Sequence, residues 1–123
     1  MSFTPRRVHL DFHTSPLIGQ IGSKFNKKDF QQKLIDSKVQ SITLFAKCHH
    51  GHTYYPSNVS DIHPNLNFDL LAAQIEAAHE IGVKAPIYIS LGWSYADFKK
   101  HKNWLAHDFY TKKVRNNRFD VNA

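Results

Sequence analysis

The 123-residue chain holds a single cysteine, Cys48, so no disulfide can form within it. A lone thiol fits a reducing compartment, and the cytoplasm is the expected location. No stretch approaches the ~18 consecutive apolar residues of a membrane-crossing helix, and the opening MSFTPRRVHLDFH lacks the apolar centre of a secretion signal. Membrane partners are therefore not expected. Acidic residues are also scarce, ten against sixteen Lys and Arg, which leaves a net charge of +6. That excess is not arranged for nucleic acid. Residues 109–123 alone carry four basic residues against Asp120, and Lys27, Lys28, Lys33 and Lys38 fall on what reads as the solvated face of a helix. No basic run is interleaved with aromatics of the kind that stack on bases, so nucleic acid is not an expected partner.

What is present is a regular alternation of strand and helix patterns. Arg6–His13 reads as a strand, with Val8, Leu10 and Phe12 alternating with His9, Asp11 and His13. Asn26 is placed to cap a helix over Lys27–Ser37, whose Phe30, Leu34 and Ile35 recur at helical spacing. Ser41–Cys48 is a second strand, followed by a long segment with four His and two Tyr, HHGHTYYPSNVSDIHPNLNF. Asp69 caps a second helix over Leu70–Ile81, with Leu71, Ile75 and Ala78 on its buried side, and Gly82 ends it. Ala85–Leu91 is the third strand and Ser94–Leu105 a third helical segment. A βαβαβα order with crossovers this long requires parallel strands. The expected domain is residues 1–108, with 109–123 as a basic C-terminal tail.

Strands of a parallel sheet covered on both faces are usually apolar throughout. These are not. With Val8, Leu10 and Phe12 toward the helices, His9, Asp11 and His13 share the other face; in the second strand Thr43, Phe45, Lys47 and His49 oppose Ile42, Leu44, Ala46 and Cys48; in the third, Tyr88 and Ser90 oppose Ile87, Ile89 and Leu91. A three-layer sandwich would bury that polar face under helices. The interior of a (β/α)₈ barrel instead holds polar layers near its C-terminal mouth, where active sites lie. The fold expected is α/β: three consecutive βα units of such a barrel, strand order 1-2-3, in a chain shorter than the about 200 residues a closed barrel needs.

His13 and His49 end adjacent strands, with Asp11 and Lys47 two residues below them and expected to pair. This constellation reads as a ligand pocket. His9, Asp11 and His13, with His49, His50, His52 and His63, also admit a metal-dependent hydrolase as the alternative. Against that alternative, the first strand lacks an H-x-H pair, and Lys47 would oppose a bound cation. No metal and no cofactor is part of the primary expectation.

The segment FAKCHHGHTYYPS, Phe45–Ser57, resembles α-L-fucosidase-type glycoside hydrolases and their uncharacterised glycosidase relatives. Lys47, His49, Gly51, Pro56 and Ser57 match the family frame K-H-H-D-G-F, aromatic, P-S, while Cys48 stands for its first His and His50 for its Asp. HLDFHTSP resembles the family's first strand, with His13 at the substrate-binding position, and APIYISLGW its aromatic-lined third. The resemblance spans about residues 6–108. It implies a carbohydrate-binding half-pocket in which His13, His49, His50, Asp11 and Lys47 meet hydroxyls and Tyr54 and Trp93 offer ring faces. A glycosidase needs two carboxylates roughly 5–10 Å apart, and the resemblance places both beyond this chain, so independent catalysis is not expected. A non-catalytic truncated remnant that acts only as an assembly unit is the other alternative. Two unpaired sheet edges point to self-association as a dimer or larger.

Overall fold

The structure is a computed structural model and describes residues 5–113. The expected tail at 109–123 lies largely outside the described residues. Three strands, β1 (Arg7–His9), β2 (Ser41–Lys47) and β3 (Ile87–Ile89), form one parallel sheet in the order β1-β2-β3. Three helices, α1 (Lys27–Asp36), α2 (Leu70–Glu80) and the short α3 (Tyr95–Lys100), follow the strands in turn, with a single 3₁₀ turn at Lys102–Trp104. Both outer strands are shorter than the sequence pattern predicts, and the third helical segment divides at His101.

The two long helices start and stop for identifiable reasons. The Asn26 side chain accepts the Asp29 N–H at 3.0 Å, and the Asp69 side chain accepts that of Ala72 at 2.8 Å, so both expected caps form. At the other end of α2 the Val83 N–H reaches the Ala78 carbonyl and the Gly82 N–H that of His79, with Gly82 at φ 72°. This is a Schellman closure, with Val83 and Ala78 in one apolar cluster. Helix α1 closes identically: Val39 N–H binds the Leu34 carbonyl and Lys38 N–H that of Ile35. There, however, the left-handed position is occupied by Lys38, at φ 51°.

Helices α1 and α2 pack side by side. Lys27 Nζ bridges Glu76 at 2.8 Å and Glu80 at 2.6 Å, and Gln31 donates to the Ala77 carbonyl. Between this pair and the sheet lies the main core of Leu34, Ile42, Leu44, Ala46, Leu71, Ala78 and Val83. Three apolar expectations fail. Ile35 stands half-exposed on α1, and Leu10, just past the end of β1 at His9, is 64% exposed. Ile87, Ile89 and Leu91, expected to pack under helices, are 43%, 51% and 73% exposed.

Candidate functional site

On the face of the sheet opposite α1 and α2, the alternation of each strand gathers aromatic and imidazole rings. Phe45 and Tyr88 are register partners on β2 and β3, with ring centroids 4.4 Å apart. His9 meets Phe45 edge-on at 5.4 Å and Tyr88 at 5.8 Å; His13 meets Phe45 at 5.1 Å. Above this layer His13 and His49 stack at 4.0 Å, His50 lies 4.6 Å from His49, and Trp93 approaches His49 at 6.5 Å with about half its surface exposed. Four of the expected site residues, His13, His49, His50 and Trp93, are thus brought together at the C-terminal ends of the strands.

Backbone contacts set the imidazole chemistry. The His49 N–H points at Nδ1 of His13 at 3.4 Å, which assigns the neutral ring's proton to Nε2. Burial, then the neighbouring His49, holds His13 below the ordinary histidine value, against the opposing effect of Asp11. Burial and His49 likewise depress His50. Rings kept neutral near pH 7 can both donate and accept hydrogen bonds, which suits a polyhydroxylated ligand.

The remaining expected site residues take other positions. Tyr54 is fully buried. Its hydroxyl meets Thr14 Oγ1 at 2.7 Å, accepts the Thr14 N–H and donates to the Phe12 carbonyl at 3.0 Å. Burial pushes that hydroxyl's pKa well up, and the ring lies 4.8 Å from Phe12. Tyr54 therefore anchors the segment that carries His13 and presents no ring face. Asp11 does not pair with Lys47. Its carboxylate is 74% exposed and holds His9 Nε2 at 3.0 Å.

Lys47 pairs instead with Asp97, Nζ to Oδ2 at 2.7 Å, with both side chains largely buried. Burial alone would raise the Asp97 carboxyl; hydrogen bonds from Lys47 and Ser94 and the Lys47 charge outweigh it and hold the group below its ordinary value. Asp97 reads in the sequence as a solvated or capping residue. The signal for more was the Ser94-Tyr-Ala-Asp97 spacing, a capping pattern that puts Asp97 in the first turn of α3 beside the end of β2.

His63 is also committed to structure. Its Nδ1 accepts the Asn65 N–H and its Nε2 donates to the Ser15 carbonyl. Among the described residues no three His, Cys, Asp or Glu side chains converge on a point where a metal ion would bind, so the metal-dependent alternative has no assembled ligand set. No helix among them is long and apolar enough to cross a membrane.

A solved α-L-fucosidase, isoenzyme 2 from Paenibacillus thiaminolyticus, is 54% identical over 97% of this chain and superposes with a TM-score of 0.87. The match covers only 18% of that fucosidase, so the chain spans under one fifth of its length. No curated protein matches. The family model described as hypothetical glycosyl hydrolase 6 matches residues 26–121, most of the chain. The three-stranded sheet with its polar, His-lined face is therefore a portion of a fucosidase-like barrel, and the chain belongs to the hypothetical glycosyl hydrolase 6 family.

Proposed function

We propose that the chain forms one wall of a carbohydrate pocket, in which His13, His49 and His50 exchange hydrogen bonds with sugar hydroxyls and Trp93 offers its exposed ring to the apolar face of the sugar. The observation that carries this reading is the stacked His13–His49 pair beside the half-exposed Trp93 at the strand ends. A neutral imidazole satisfies a hydroxyl as either donor or acceptor, and indole supplies a flat apolar surface. The match to an α-L-fucosidase makes a monosaccharide of that kind the first ligand to test.

The same reading holds that these 123 residues do not hydrolyse glycosides alone. Nine of the ten acidic residues are described, and each is engaged away from a common cleft. Asp11 holds His9, Asp29 holds Lys33, Asp36 binds Gln32, Asp61 meets Lys100, Asp69 caps α2, Glu76 and Glu80 share Lys27, Asp97 holds Lys47, and Asp108 binds its own turn. A pair of carboxylates across a scissile bond is what the reaction needs. The test is an assay with aryl glycosides, the α-L-fucoside included. No turnover is expected, and turnover abolished by Asp11→Asn would contradict the reading.

We also infer that the chain associates with itself. Ile87, Ile89 and Leu91 leave an apolar strip along β3, at the edge of the sheet, and unpaired edges template pairing with other chains. The buried free thiol of Cys48 is compatible with the cytoplasm as its location.

A further inference from the structure

We propose that Asp97 is a positioning residue for the histidine pocket: with Lys47 and Ser94 it forms a latch that pins the His49-His50-Gly51 segment onto the first turn of α3, and so sets how the two imidazoles face His13. This deepens the carbohydrate-pocket reading and rests on it for its functional meaning, but its geometry stands independently.

Three sets of contacts define the latch. The first is ionic. Lys47, the last residue of β2, reaches across fifty residues of chain to Asp97 at 2.7 Å, and Ser94 Oγ donates to the same carboxylate oxygen at 2.5 Å. Ser94 is wholly buried. The second is backbone. The Tyr95 and Ala96 N–H groups, which open α3, donate to the carbonyls of His49 and His50 at 3.0 and 3.1 Å. The helix thus has its first donors satisfied by the residues whose side chains line the pocket. The third is steric. Gly51 sits at φ 89°, where L side chains are strained, and a Cβ there would come within 2.6 Å of Ser94 Oγ, 2.7 Å of Ala96 Cβ and 2.9 Å of the Ala96 nitrogen. Only glycine allows this approach.

The consequence follows from connectivity. His49 and His50 lie past the end of β2, so sheet pairing does not fix them. Their carbonyls are held by a six-residue helix, too short to be stable alone. The Lys47–Asp97 pair adds a link between that helix and the end of β2, and because it is largely buried it is costly to break by removing one partner.

The test is imidazole nitrogen NMR on the full chain without ligand, following the ring signals and pH titrations of His13 and His50 in Asp97→Asn, Lys47→Met/Asp97→Asn and Gly51→Ala. The double variant removes both charges, so it leaves the local net charge unchanged and reports position. All three are expected to displace the His13 and His50 titrations while the ring signals of His79, on α2, stay where they are; Asp97→Glu should recover part of the difference. Titrations that match the parent in Asp97→Asn and in the double variant would overturn the proposal, as would a displacement confined to Asp97→Asn, which would be direct charge alone. Should Gly51→Ala fail to fold, the two Asp97 variants still decide the matter. No sugar is needed, so failure of the carbohydrate reading would leave this result standing, and the reverse holds too.

Discussion

The imidazoles of His13 and His49 lie face to face, with centroids 4.0 Å apart and planes 20° from parallel, although thirty-six residues separate them in the chain. Burial and the neighbouring His49 both hold His13 below its ordinary value.

That arrangement predicts how stability changes with pH. His13, His50 and His52 are all depressed below the unfolded value near 6.5, mainly by burial. The groups facing His13 are His9, Asp11 and His49; those facing His50 are His13, His49, His52 and His63; those facing His52 are Lys47, Asp61, His63 and Lys100. A depressed histidine binds fewer protons folded than unfolded, so stability rises with pH. It should be full above 6.5, fall as the pH drops through 6.5, and level off below the depressed values. Thermal unfolding across that window should show the slope, and His13→Asn should flatten part of it.

Tyr54→Phe should destabilise the fold by about 1–3 kcal/mol, because it strips partners from the buried Thr14 N–H and the Phe12 carbonyl. Urea unfolding measures it. A neutral outcome would contradict the anchoring role.

Lys38→Gly should stabilise by about 0.5–1 kcal/mol. It relieves a left-handed lysine at the end of α1, where α2 uses Gly82 for the same closure. The Arg6 contact is to the Lys38 carbonyl and survives the change. Urea midpoints of the two proteins decide the sign.

For self-association, sedimentation or light scattering at tens of micromolar, on the order of typical weak-interface dissociation constants, should report a dimer or larger. Leu91→Lys with Ile89→Lys should shift it toward monomer, because both charges would stand on the exposed strip. A parent chain that is monomeric there contradicts the inference.

Much of this fold was readable in the residue pattern because local chemistry and global fold agree. Asn26 and Asp69 cap where they should, Gly82 closes α2, and the two-residue period of β2 separates Phe45, the register partner of Tyr88, from Leu44 and Ala46. What the pattern could not supply was pairing across loops. Asp11 stands two residues below His13, as Lys47 does below His49, so symmetry suggested that they pair. The chain leaves β1 at His9, however, and α3 brings Asp97 to Lys47 from fifty residues away. Tyr54 shows the same limit: an aromatic in a His-rich loop reads as a ligand platform, and only its depth and its three hydrogen-bond partners reveal an anchor.

The most direct test of the carbohydrate pocket is a titration of the isotope-labelled chain with L-fucose and other monosaccharides, following the ring signals of His13, His49 and Trp93. A pocket with one wall should bind weakly, with a dissociation constant on the order of millimolar. The account predicts saturable shifts confined to these residues and His50, strongest for one sugar, and abolished in His13→Ala. Signals that do not move for any sugar, or that move equally in His13→Ala, would contradict it.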